Sequence, residues 1–171
     1  MKTWLIALGA VATVAVIAAA VFGSLYFTKD TGEGSAVPEC EHDMFGHISS
    51  LTPSGDDYEL RFDPAWFTSG ETANTAAAED GVVEPGEPVP NDNYRVEEGH
   101  RLLTYLVPAD AEVTVLTNND TGILSTPVSA SELAKLVEGE KPVELFESLD
   151  TGFWMRYHID TVCSLDQQYQ P

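Results

Sequence analysis

Trp4 to Phe27 are 24 consecutive residues without one charged side chain. As a helix they reach roughly 36 Å at about 1.5 Å per residue, enough to cross a hydrocarbon core about 30 Å thick with some tilt. The segment reads as a single transmembrane anchor behind a cytoplasmic tail, residues 1–3. A cleaved secretory signal is the competing reading. Its apolar region is about 7–15 residues long and ends at a small-x-small site, and Ala18-Ala19-Ala20 fits that rule. The apolar run continues past this site, which favours the anchor. Lys2 and the terminal amine on one side and Lys29 on the other give a weak positive-inside contrast. The short leading tail favours insertion with the amino terminus inside. Both readings place residues 31–171 outside the cytoplasm. Ala36-Val37-Pro38-Glu39, before Cys40, lacks a lipoprotein signal pattern.

Apart from Lys2, Lys29 and Asp30, the chain holds 27 acidic against 6 basic side chains, a formal charge of −21 over residues 31–171. Phosphate recognition needs a basic patch, so nucleic acid is excluded as a partner by the usual route. Docking on anionic lipid is disfavoured for the same reason. High net charge keeps an exposed domain soluble and monomeric; it also steers basic partners. About 140 residues suffice for one modest domain with a core.

The two cysteines, Cys40 and Cys163, sit at the two ends of this part. In an oxidising compartment an even count reads as pairing, and two cysteines allow one intramolecular bridge. It would close a loop of more than 120 residues, for which chain entropy gives roughly 4–5 kcal/mol.

Residues 28–39 (TKDTGEGSAVPE) read as a flexible spacer, and residues 40–171 as the folded domain. Phe45 to Thr52 has strand composition, and Pro53 to Asp56 supplies a turn. Tyr58, Leu60 and Phe62 alternate with Glu59, Arg61 and Asp63, the pattern of a half-buried strand, which Pro64 is expected to end. Thr68-Ser69-Gly70-Glu71 fits a capping box before a helix with Ala73, Ala76 and Ala77 on one face and Gly81 as its C-cap. Pro85, Pro88 and Pro90 make Val82 to Asn93 an extended loop. Short strands are expected at 94–96, 102–107, 112–117 and 123–128. Ser129-x-x-Glu132 is a second capping box, with Leu133, Leu136 and Val137 at helical spacing. Residues 142–149 suggest a helical turn. Phe153, Met155, Tyr157 and Ile159 share one face of a further strand, and Val162 to Leu165 forms the last. The expected class is α+β and β-rich: a small, partly open β-barrel or curved antiparallel sheet with two short helices, preceded by one transmembrane helix.

Several blocks carry a resemblance: Gly46-x-Ile48-x-Ser50-Leu51, Gly55-Asp56-x-Tyr58 through Trp66, and Glu79-Asp80-Gly81. Others are Val89-Pro90-Asn91-Asp92-x-Tyr94, Arg101 to Tyr105, and Asp166-Gln167-Gln168-Tyr169-x-Pro171. Together they resemble a group of secreted or membrane-anchored proteins of Gram-positive bacteria, actinobacterial in type, to which no activity is assigned. The resemblance implies location and a β-rich domain, and neither a reaction nor a ligand. Cys40 and Cys163 are not part of it.

Chemistry-bearing clusters are few. Cys40, His42, Asp43 and His47 lie within eight residues, but zinc sites draw about four ligands from paired motifs, and surface histidines are the simpler reading. The acidic and Asx-rich turns at 56–57, 79–80, 91–93, 97–98 and 118–120 lack EF-hand spacing. No cofactor is expected beyond loose divalent-cation binding. There is no G-x-S-x-G elbow and no H-E-x-x-H. Trp66, Phe67 and Trp154 would suit glycan or peptide contact if exposed, and core packing if not.

The resulting expectation is a non-enzymatic domain of the cell envelope, tethered at a membrane and facing outward, or secreted after signal cleavage. It would bind an envelope protein or wall component. The residues singled out are Asp63, Trp66, Asn91, Asp92 and Tyr94, where a strand end and the Pro-rich loop could converge. The alternatives are a hydrolase of wall polymer using a carboxylate pair, and a domain responsive to divalent cations.

Overall fold

The computed structural model describes residues 40–97, 99 and 101–170; the expected tail, membrane span and spacer lie outside them. Among the described residues no helix is long and apolar enough to cross a membrane. The described chain contains eight strands and two α-helices, in the order expected from its patterning. The strands are β1 (His42–Ser54), β2 (Asp57–Ser69), β3 (Asn93–Glu97), β4 (Leu103–Val107), β5 (Glu112–Asn119), β6 (Gly122–Val128), β7 (Phe153–His158) and β8 (Thr161–Gln167). The helices are α1 (Gly70–Glu79) and α2 (Ala130–Val137).

Five strands form a ring. β1 pairs with β2 and β7, β2 with β4, and β7 with β8, all antiparallel. A parallel contact of β4 with β8, Leu106 opposite Thr161, closes it, and the Leu106 N–H donates to the Asp160 carbonyl at 2.8 Å. The barrel is therefore closed, where the sequence suggested a partly open one. In chain order the ring runs first, second, third, fifth, fourth, with α2 before the fourth member. This is the connectivity of a five-stranded Greek-key barrel of the OB type. The β5–β6 hairpin extends the sheet beyond β8, and β3 extends it beyond the far half of β2.

Leu51, Leu60, Phe62, Tyr105, Val107, Phe153, Met155, Val162 and Leu165 fill the interior. α2 packs against β1 and β5 and buries Leu133, Ala134 and Leu136. Its capping box forms: the Glu132 N–H donates to Ser129 Oγ at 3.2 Å, and Ser129 N–H donates to Glu132 Oε2 at 2.8 Å. The Ser129 N–H, and then the Ser129 hydroxyl, which also donates to Glu132 Oε2 at 2.8 Å, hold the Glu132 carboxyl below its ordinary pKa.

Four local expectations are corrected. β2 does not stop at Pro64. It changes partner there, pairing with β4 over residues 58–62 and with β3 over 65–69, so the missing N–H falls between two ladders, where proline is tolerated in a strand. The first capping box does not form: Thr68 belongs to β2 and donates its hydroxyl to the Tyr94 carbonyl at 2.8 Å, and the N-cap Ser69 makes no side-chain bond. Residues 142–148 form bends, followed by a 3-10 turn at Leu149–Thr151. Ile159 does not join the face of Phe153, Met155 and Tyr157; it lies in the β7–β8 turn at φ +57° and is 74% exposed.

Cys40 and Cys163 are bonded. β8 carries a register shift opposite Arg156 and Tyr157, leaving Cys163 as the extra residue. A bulge re-aims a side chain, here toward the lead into β1, whose His42 pairs with Tyr157.

Candidate functional site

β1 and β2 are paired from Phe45 opposite Ala65 to their turn at Gly55. Before Phe45, residues 42–44 follow β7. After Ala65, residues 66–69 follow β3. The two strands part like a fork. A cleft of about 390 Å³ opens there, lined by Asp43, Met44 and Phe45 on one side, Pro64, Ala65, Trp66 and Phe67 on the other, and Trp154 of β7. That volume is at the small end of ligand sites.

Strand parity explains the aromatic wall. Gly46 and Ile48 face the interior, so Phe45 and His47 face outward. Phe45 stands opposite Ala65 and Trp154, and Phe67 lies two residues beyond Ala65 on the same face. The Phe45 ring centroid is 5.1 Å from that of Phe67 and 5.4 Å from that of Trp154, and Phe67 and Trp154 are 6.1 Å apart. These are edge-to-face and tilted arrangements at favourable separations. Phe45 is buried against the Gly152 backbone: a Cβ at Gly152 would lie 2.5 Å from the Phe45 ring. The Trp154 indole N–H donates to Gln168 Oε1 at 2.8 Å, fixing the ring plane. Trp66, with opposite parity, is 60% exposed at the mouth.

The surrounding charges are arranged around this wall. Glu97 Oε1 lies 2.9 Å from Arg95 Nε and 3.1 Å from His47 Nε2. Arg95 also donates to the Asp150 carbonyl at 3.1 Å. Arg156, opposite Asp43 in the β1–β7 ladder, turns toward β8: its Nε donates to Ser164 Oγ at 2.9 Å, and it lies 3.8 Å from Glu112. Asp43 itself is exposed at the cleft rim.

Of the residues singled out from sequence, Trp66 lines the cleft. Asp63 pairs with His47 beside it. Asn91 and Asp92 form a 3-10 turn before β3, both with left-handed backbone at φ +63° and +56°. Tyr94 packs on the satellite cluster of Ala73, Ala77 and Val89, and its hydroxyl donates to Asp80 at 3.0 Å. Burial, and then Asp80, raise the Tyr94 phenol above its ordinary pKa. Trp66 and Tyr94 share one face of the β2–β3 ladder, Trp66 opposite Val96 and Thr68 opposite Tyr94. The Asn91–Asp92 turn is absent from the cleft lining. Phe45 is missed from sequence, because nothing in the local pattern distinguishes an outward Phe from a core one, and Asp43 enters there only as a metal ligand beside Cys40, His42 and His47.

His42 stacks on Tyr157 at 5.4 Å. Among the described residues no group of three or more His, Cys, Asp or Glu is placed to hold a metal ion. No protein-family model matches this chain, and no curated protein or solved structure is significantly similar to it.

Proposed function

We propose that this chain is a non-enzymatic ligand-binding protein of the cell envelope. Residues 4–27 tether it, and the barrel faces outward to bind an envelope protein or wall component. The observation that carries this reading is the fork between β1 and β2, which leaves an aromatic-walled cleft open beside a closed barrel core. An apolar concavity with a few polar groups at its rim is the usual form of a binding site. The Cys40–Cys163 bridge fits an oxidising compartment. OB-type barrels serve many functions; the cleft is the feature particular to this chain.

The test is hydrogen–deuterium exchange of the full chain in nanodiscs, with and without a solubilised envelope fraction. Slowed exchange confined to residues 43–45, 64–67 and 153–155, and absent in a Trp66→Asp variant, is the expected result. Protection elsewhere, with these segments unchanged, refutes the assignment.

A further inference from the structure

We infer that the cleft is a receptor for an alkylammonium group, an inference that rests on the reading of the cleft as a binding site. Three features point to a cation. First, half of the lining is aromatic. Phe45, Phe67, Trp66 and Trp154 are four of the eight lining residues, and the faces of aromatic rings, tryptophan above all, attract cations through their quadrupole. Second, Asp43 is the one charged residue among the eight, and it is a carboxylate at the rim.

Third, the protein's own cations are held elsewhere. Arg95, opposite Phe67 on β3, is bound to Glu97 and the Asp150 carbonyl. His47, edge-on to Phe45 at 5.8 Å, also faces Glu97. Arg156 leans to Ser164 and Glu112. The cleft lining itself is thus rings, small apolar residues and one carboxylate, on a chain whose formal charge is −20. Such a field concentrates cations and repels anions. An apolar ligand alone would not need Asp43, and an anion would be rejected by it. A compact ammonium ion with methyl or methylene groups satisfies both the rings and the carboxylate.

The experiment uses the full chain in phosphatidylglycerol nanodiscs, with empty nanodiscs as the blank, at constant ionic strength. Binding is read by saturation-transfer NMR of the ligand methyl groups and by tryptophan fluorescence. The probes are tetramethylammonium, choline, N-acetyl-lysinamide and 3,3-dimethylbutan-1-ol, the last being the neutral isostere of choline. Choline is expected to bind about tenfold more tightly than the isostere, a cation–π contribution near its ordinary size. Trp66→Leu and Asp43→Asn should each remove most of that preference, bringing the choline-to-isostere affinity ratio toward one. Choline against lysinamide separates a quaternary from a primary ammonium ligand.

Equal binding of choline and its isostere, reduced in Trp66→Asp, would overturn the ammonium assignment and leave the cleft standing. Choline binding indifferent to both Trp66→Leu and Asp43→Asn would place the site elsewhere and also overturn it. Binding of no probe at tens of millimolar would overturn the ammonium assignment, while the exchange measurement on residues 43–45, 64–67 and 153–155 decides the cleft itself.

Discussion

Gly46 is the hinge point of the fork, and Gly46→Ala tests that geometry directly. Gly46 faces the interior, paired with Pro64 on one side and Phe153 on the other. A Cβ there would overlap the Asp63 carbonyl oxygen, lie 2.7 Å from the Phe62 ring and lie 2.9 Å from Pro64 Cα. Carbon contacts relax to about 3.5–4.0 Å, so β2 and the Phe62 ring would both have to withdraw by about 1 Å. Phe62 is fully buried, so its ring can yield only by displacing core neighbours. Two of the three obstructions are backbone, which no rotamer change relieves. Overpacking costs about 1–3 kcal/mol, and this site belongs at about 3. For a domain of this size 1 kcal/mol is about 4 °C, so a melting temperature lower by about 12 °C is expected. Gly55→Ala is the internal control. Gly55 has φ +67° and open space around it, so alanine there carries only left-handed backbone strain, about 1 kcal/mol, or about 4 °C. Urea and thermal unfolding followed by circular dichroism measure both. If Gly46→Ala costs no more than Gly55→Ala, the steric account of the fork is wrong.

Three further outcomes follow from the packing. Cys40 and Cys163 are 123 residues apart, and loop entropy sets an upper value of about 5 kcal/mol for their bridge. Mass spectrometry should find no free thiol, and reduction should lower stability and weaken cleft binding, since residues 43–45 form one wall just beyond the tether. Burial, and then the neighbouring Tyr157, push the Tyr105 phenol up to about 12. A raised folded value means stability that is complete below the ordinary phenol value of about 10 and is lost as pH climbs toward 12. Tyr105→Phe should flatten that alkaline loss in urea titrations. Glu132 has the opposite sign. Its carboxyl is held down by Ser129, so its contribution is present above the ordinary carboxylate range and disappears as pH falls through the folded value. Glu132→Gln should therefore show a shallower acid limb than the parent protein, and an identical limb would rule this contribution out.

Some of this protein was decided by neighbours in the chain. The Ser129–Glu132 box forms because both partners lie within one helical turn. The Tyr58 to Phe62 alternation needs only a pleated strand with one wet face. Cys40 and Cys163 could pair only with each other within the chain. Other features depend on partners far along the chain. Pro64 reads locally as a stop, yet β2 passes through it because two different strands, β4 and β3, take up its outer edge on either side. In β1, a register shift between Ile48 and Ser50 breaks the simple alternation. That makes both Gly46 and Leu51 inward-facing and sends Phe45 outward.

The cleft belongs wholly to this second kind. Phe45, Phe67 and Trp154 come from three strands, and each is an ordinary aromatic in its own segment. Only the pairing of β7 with β1 and the parting of β1 from β2 bring them within 5.1–6.1 Å of one another with Asp43 at the rim. Periodicity records which side of a strand a residue occupies. Which strand lies across from it is set by pairing between segments far apart in the chain.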